Sequence, residues 1–147
     1  MLYTILCITK YSIQHNAICV NRKREPYFAD AARAWGLAES RQIEGFIAGR
    51  SFTTLFYLYR HQGGSEMAYQ AIRMLLRVSD VASVDRGTIE KACDLAWRDF
   101  EDAVQAVAAS GAGCDYLVTR NPRNYAGQAM TIIQPAKFLA VWAARKA

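Results

Sequence analysis

Residues suited to zinc binding are scarce in this sequence, which has four cysteines and two histidines among 147 residues. No two cysteines have the C-x-x-C spacing, and both histidines stand apart from them, which argues against a zinc site. Because the cysteines have mainly apolar neighbours, the sequence predicts reduced, buried thiols in a cytosolic protein. These cysteines are Cys7, Cys19, Cys93 and Cys114, and the histidines are His15 and His61.

Long apolar runs are also missing. None approaches the roughly 20 residues that a membrane-spanning helix needs. Lys10, Gln14 and His15 interrupt the apolar N-terminal residues where a signal peptide would need a continuous core. We therefore expect a cytoplasmic protein without a membrane partner. The sequence also lacks a Gly-x-Gly-x-x-Gly loop, a phosphate-binding Gly-Lys-Ser/Thr loop and a His-Glu-x-x-His pair.

Low-complexity segments, internal repeats and linkers are absent as well, so we expect residues 1–147 to form one domain. The hydrophobic content of 52% is high enough for a proper core. The formal net charge of +5 is compatible with nucleic-acid binding, but so modest an excess of basic residues is only weak evidence for that function.

Short β-prone segments alternate with helical ones along the chain. This order predicts an α/β layer fold with a mainly parallel sheet. The predicted strands are residues 1–9, 43–48, 81–84, 116–118 and 130–133. The predicted helices are residues 27–39, 51–61, 66–77 and 88–97, a small-residue helix that starts at Asp99, and a last helix that starts at Pro135.

Two carboxylates head the small-residue helix. Asp99 and Asp102 are three residues apart and so share one face, an arrangement that suits a Mg²⁺ or Mn²⁺ ion. A structural interpretation competes with this one, since Asp99 is a natural N-cap and Asp102 complements the helix dipole. The spacing alone favours the structural interpretation, because acids are common at helix starts.

Polar residues follow the buried strand that ends at Val118. Ligands gather beyond the carboxyl ends of parallel strands, which makes Thr119, Arg120 and Asn121 candidates for a binding edge. Arg120 and Arg123 are the basic residues closest to that edge and could contact a phosphate backbone. Aromatic residues at 52–59 could stack on bases, but their helical spacing favours a place in the core.

Several segments, in order, resemble a known family. They are Arg-Glu-Pro-Tyr-Phe-Ala-Asp-Ala-Ala (24–32), Ile-Glu-Gly-Phe-Ile-Ala (43–48), Ser-Phe-Thr-Thr-Leu-Phe-Tyr-Leu-Tyr-Arg (51–60), Asp-Phe-Glu-Asp-Ala-Val-Gln (99–105), Gly-Cys-Asp-Tyr-Leu-Val-Thr-Arg-Asn-Pro-Arg-Asn-Tyr (113–125) and Ile-Ile-Gln-Pro-Ala-Lys-Phe-Leu (132–139). Over about residues 24–143 the chain is similar to PIN domains of the branch that contains VapC-like toxins. The resemblance implies a three-layer α/β/α fold and a Mg²⁺- or Mn²⁺-dependent endoribonuclease. It also implies the toxin role in a toxin–antitoxin pair, a cognate antitoxin and a homodimer.

The resemblance also assigns site residues. Asp102 and Asp99 match acids that hold the metal ion, and Asn121 stands where many members have Asp. Thr119, Arg120 and Arg123 would then contact RNA. Two further positions depart from the usual acids of the family, with Asn124 in place of an Asp and Thr54 in place of a Glu.

The largest departure lies in residues 1–24, which contain no Asp and no Glu. The family has a metal-binding Asp in an Asp-Thr-Asn motif after its first strand, where this chain has Lys-Tyr-Ser-Ile (10–13). Two interpretations follow: a ribonuclease that works without this acid, or an inactive protein that binds RNA or an antitoxin. A wrong start or a frameshift in the gene sequence that encodes the first ~24 residues would also explain the departure.

Overall fold

The computed structural model describes residues 6–9, 28–119, 122–125, 127 and 130–146. Within these residues, five strands form one sheet in the order β3-β2-β1-β4-β5. Their bounds are β1 Leu6–Thr9, β2 Gly45–Ala48, β3 Ser79–Ala82, β4 Cys114–Val118 and β5 Thr131–Ile133. Each predicted strand therefore has a counterpart, although β3 starts two residues earlier than predicted and β1 is described only from Leu6.

Four of the five strands run in the same direction. β2 pairs with β3 and β4 pairs with β5 in parallel, whereas β1 lies antiparallel between β2 and β4. The prediction of an α/β fold with a mainly parallel sheet is confirmed. Because β1 is reversed, its last residue, Thr9, pairs with Cys114 at the start of β4. The chain thus leaves β1 at the edge opposite to the carboxyl ends of β2 and β4. Residues 10–13 lie outside the described residues.

Helices cover both faces of the sheet. They are α1 Phe28–Glu39, α2 Gly49–Val78, α3 Arg86–Leu95, α4 Phe100–Gly111 and α5 Pro135–Lys146, with a 3₁₀ turn at Pro122–Asn124. In β4, Tyr116 and Val118 pack with α1, α2 and α5, whereas Leu117 packs with α4 on the other face. This alternation is the two-residue period of a strand that is buried on both sides. The result is the expected three-layer α/β/α arrangement.

α4 lies close to the sheet because its inner face carries small side chains. Ala106, Ala108 and Ala109 are buried against strand residues such as Leu117 and Ala82. On its other side α4 contacts α3, where Ala92 meets Ala103 and Val104. The N-terminus of α4, with its two aspartates, is held at a fixed position relative to the sheet by this packing.

α2 contains a sharp bend. Gly63 and Gly64 have non-helical backbone angles, so the segment consists of two helical halves, in agreement with the two predicted helices. Phe56 and Tyr69 would be about 20 Å apart along a straight helix. Their ring centroids are only 4.8 Å apart, which shows that the second half folds back beside the first.

The bend gives a prediction about stability. Gly64 has φ 84° and ψ 176°, a conformation that is open essentially to glycine alone. Gly64→Ala should lower the free energy of unfolding by about 1–3 kcal/mol, although no atom lies within 4 Å of the added Cβ. Gly36→Ala in α1 is the matched control, since a Cβ at that position is equally unobstructed. This substitution should stabilise the helix by about 0.5–1 kcal/mol. Urea denaturation measures both, and equal effects of the two substitutions would contradict the strain at Gly64.

The cysteines differ from the prediction of reduced, buried thiols. Cys93 in α3 is a free thiol, but it is exposed. Cys114 is buried as expected, yet it is disulfide-bonded. The prediction is therefore wrong for both residues, because the pattern of apolar neighbours gives neither exposure nor pairing.

Among the described helices, none is both long enough and apolar enough to cross a membrane.

Candidate functional site

The N-terminus of α4 brings the two predicted acids together. Asp99 is the N-cap, and its Oδ1 accepts a hydrogen bond from the Asp102 backbone N–H at 3.2 Å. The structural interpretation of Asp99 is thus confirmed. With Glu101 the pair places three carboxylates at the positive end of the helix dipole, which stabilises negative charge there.

Asp102 differs from an ordinary acid of a first helical turn because it is only 2% exposed. Its Oδ1 accepts a 2.8 Å hydrogen bond from the Tyr125 hydroxyl. A buried carboxylate is costly unless donors surround it, so this bond holds the side chain in place. A dipole-complementing acid would need no such burial. The position of Asp102 therefore calls for a further explanation.

Tyr125 connects the loop after β4 to α4. Its backbone N–H bonds Pro122 O at 3.2 Å, which closes the 3₁₀ turn. Its ring meets the ring of Trp97 edge to face, with centroids 5.7 Å apart. Burial, then the charge of Asp102 and the hydrogen bond to it, raise the pKa of Tyr125 well above its usual value near 10. The phenol thus stays protonated and donates to Asp102.

Thr119 belongs to the same cluster. Its hydroxyl hydrogen-bonds the Tyr125 hydroxyl, and this bond opposes the rise in the Tyr125 pKa. Its backbone N–H bonds Ile133 O at 2.9 Å, which places Thr119 just beyond the carboxyl end of β4. Tyr125 therefore links Thr119 to Asp102, and the charge of Asp99 reaches the same phenol.

The structure describes the other predicted site residues only in part. Arg123 lies in the 3₁₀ turn and is exposed to solvent. Arg120 and Asn121 fall outside the described residues, as does the side chain of Asn124. Thr54 is half-buried on α2.

A second connection joins α4 to α2. Arg50, in the first turn of α2, forms an ion pair with Glu101, and Gln105 donates to the same Glu101 oxygen at 3.3 Å. The N-cap of α2 is Ala48, which offers no side-chain acceptor. The N-termini of α2 and α4 thus meet at the edge where β2 and β4 end. This edge combines three carboxylates, one arginine and an uncapped helix end.

The donor set at this edge decides whether a divalent cation fits. Asp99 and Asp102 offer hard carboxylate oxygens, and Mg²⁺ often binds one or two carboxylates while it keeps several waters. Across the described part of the chain, no three acidic, histidine or cysteine side chains are grouped as metal ligands would be. Of the 13 acidic residues in the sequence, only Glu25 lies outside that part. The residues fit an ion that is held by few protein ligands and completed by water or a substrate phosphate.

Two features of this edge were not predicted from the sequence. Tyr125 follows Asp102 by 23 positions and has no regular spacing to it, so only the loop after β4 brings them together. The pair Arg50 and Glu101 is equally remote in sequence. The one available signal was that Arg50, Glu101 and Asp102 lie next to a predicted strand end or helix start, and Tyr125 carried no such signal.

Comparison with known proteins gives one match. A family model described as a PIN domain matches residues 17–123, well over half of the chain. The matched region starts after β1 and includes α1 to α4, so it contains both helix N-termini at the candidate site. No curated protein and no solved structure matches the chain.

Proposed function

This chain belongs to the PIN-domain family, and on that premise we propose that it is a VapC-like endoribonuclease that depends on Mg²⁺ or Mn²⁺. PIN domains are generally divalent-metal-dependent nucleases that act on RNA or other nucleic acid. The proposal includes the toxin role in a toxin–antitoxin pair, with an antitoxin protein as inhibitor and a homodimer as the working form.

The observation that supports a catalytic role is the environment of Asp102. A carboxylate that only complemented a helix dipole would lie in solvent, whereas Asp102 is buried and bonded by Tyr125. A buried titratable group whose pKa is strongly shifted by burial and a charged neighbour, as that of Tyr125 is by Asp102, is typical of functional sites. Asp99 lies one helical turn away on the same helix end.

Each residue of the edge has a role in the proposal. Asp102 and Asp99 hold the ion, which when bound supplies an activated water and neutralises charge on the phosphodiester. Tyr125 fixes the orientation of the Asp102 carboxylate through its 2.8 Å bond. Thr119 and Asn121 orient water or the phosphate. Arg120 and Arg123 contact the RNA backbone.

A second candidate function is an inactive PIN-fold protein that binds RNA or an antitoxin. It is favoured by the small number of free acids: within the described residues no three acidic, histidine or cysteine side chains are grouped to hold a metal ion, and the nearby Glu101 is paired with Arg50. Cation affinity depends on the number of charged ligands, so such a site binds Mg²⁺ or Mn²⁺ weakly or not at all.

Metal removal tests the first function against the second. We expect the purified chain to cleave single-stranded RNA with Mn²⁺ or Mg²⁺ and to lose this activity in EDTA. Calorimetric titration with Mn²⁺ in the absence of RNA should show binding that Asp102→Asn weakens. Absence of both cleavage and Mn²⁺ binding would exclude the metal-dependent ribonuclease and leave the binding protein.

A further inference from the structure

The first half of α2 has an exposed face without acidic residues. Within residues 49–61 five side chains are exposed, and their spacing confines them to about 100° of the helix circumference. They are Arg50, Thr53, Tyr57, Arg60 and His61. No Asp or Glu occurs in residues 49–61. We call these five residues the α2 stripe.

Exposed aromatic rings lie beside the stripe. Tyr57 is 65% exposed, and Tyr69, from the second half of α2, is 59% exposed. Both rings pack on Phe56, with centroid distances of 5.9 Å and 4.8 Å. The helical spacing of the aromatic residues at 52–59 predicted a place in the core, which is wrong for Tyr57. The bend at Gly63 and Gly64 thus creates a supported pair of tyrosines on the surface.

The stripe starts at the candidate site. Arg50 forms the ion pair with Glu101, the residue between Phe100 and Asp102 at the head of α4. Along the helix axis Tyr57 is about 10 Å and Arg60 about 15 Å from Arg50. A cation, an aromatic ring and a second cation therefore follow one another outward from the acids. The uncapped N-terminus of α2 adds partial positive charge at the start.

We propose that the α2 stripe and Tyr69 bind single-stranded RNA that leads away from the acidic edge. Tyr57 and Tyr69 stack on bases, while Arg50 and Arg60 contact phosphates. Interleaved cations and aromatic rings are the usual surface for single strands, since bases of a duplex are already stacked on each other. This inference rests on the proposed function for its ligand and adds the surface and the strandedness of that ligand.

A protein partner is the competing occupant, and the charges argue against it. The exposed apolar side chains Met74 and Leu76 lie on the second half of α2, outside the stripe. The stripe itself carries no acid, and beyond Arg50, which pairs with Glu101, Arg60 adds a positive charge that complements phosphates. A neighbouring protein that packed on Tyr57 would also have to cover Arg60.

The test measures RNA affinity without cleavage. Fluorescence anisotropy follows a short fluorescein-labelled oligouridylate in EDTA, so the result does not depend on catalysis. Tyr57→Leu and Tyr69→Leu should each weaken binding at least about fivefold, because each removes a stacking ring. Tyr57→Phe keeps the ring and should bind like the unaltered chain. A duplex RNA of the same length should bind more weakly than the single strand.

A second experiment compares the loss of a stripe arginine with the loss of an arginine elsewhere on the surface. Arg60→Ala should reduce the slope of log affinity against log salt by about 0.7, as expected for one lost phosphate contact on a single strand. Arg86→Ala removes another exposed arginine, at the start of α3. Gly87 and Thr88 there lie near Ser110 and Gly111, at the far end of α4 from Asp99, so the slope should not change.

The outcomes separate this surface from the proposed function. If the leucine variants bind RNA as well as the unaltered chain, the stripe is not the RNA surface, whether or not RNA is cleaved. If they bind normally but change the mass measured by light scattering, the tyrosines form a protein interface and the inference is overturned. If RNA binding depends on Tyr57 but the chain never cleaves RNA, the α2 stripe is supported as the RNA-binding surface and only the ribonuclease activity is excluded.

Discussion

Asp102→Asn should lower the rate of RNA cleavage at least about 100-fold. The substitution removes the charge of the most buried carboxylate at the edge, and a divalent cation depends on ligand charge. The Asn Oδ1 can still accept the bond from the Tyr125 hydroxyl, so the fold should remain. Single-turnover cleavage with saturating Mn²⁺ gives the rate, and circular dichroism checks the fold.

Two further variants identify the cause of such a loss. Asp115→Asn removes an exposed acid at the start of β4, at the opposite edge of the sheet, and should leave cleavage unchanged. Asp99→Asn keeps a good N-cap, so a loss of cleavage there reports on the metal ligand and not on the helix. Cleavage by Asp102→Asn at the rate of the unaltered chain would remove Asp102 from the mechanism.

Local patterns predicted most of the architecture. The apolar run of Tyr116, Leu117 and Val118 predicted a strand buried on both faces, and the helices pack on both sides of it. Gly63 and Gly64 predicted the break in α2, because few other residues adopt φ 84°. The small apolar side chains after Asp102 predicted a helix, and the structure shows that their size lets it lie close against the sheet. In each case the pattern depends on backbone geometry or burial alone.

Features that depend on distant residues were not predicted. Strand direction leaves no trace in the residues of a strand, so nothing in Leu6–Thr9 indicated that β1 runs antiparallel to β2 and β4. The helical spacing around Tyr57 predicted a core side chain, yet the fold leaves it exposed. Asp102 and Tyr125 are joined by the path of the loop after β4, which no spacing rule describes.

Tyr125→Phe should lower the free energy of unfolding by about 1–3 kcal/mol near neutral pH. The variant keeps the ring against Trp97 but removes the donor of the 2.8 Å bond, which leaves the buried Asp102 carboxylate short of a partner. Tyr59→Phe is the control, because burial alone raises the pKa of Tyr59. Removal of the Tyr59 hydroxyl should therefore lower the free energy of unfolding by less. Urea denaturation of both variants measures the difference.

The pH dependence of stability provides a second, independent test of Tyr125→Phe. Because the pKa of Tyr125 is raised in the folded chain, the unfolded chain loses this proton first as the pH rises through about 10. The contribution of Tyr125 is therefore complete below pH 10 and then falls by up to about 1.4 kcal/mol for each further pH unit. Tyr125→Phe lacks this group, so its free energy of unfolding should fall less steeply at alkaline pH. Equal slopes for the two proteins would mean that the phenol is not buried beside Asp102, and the role of Tyr125 in positioning that carboxylate would then be wrong.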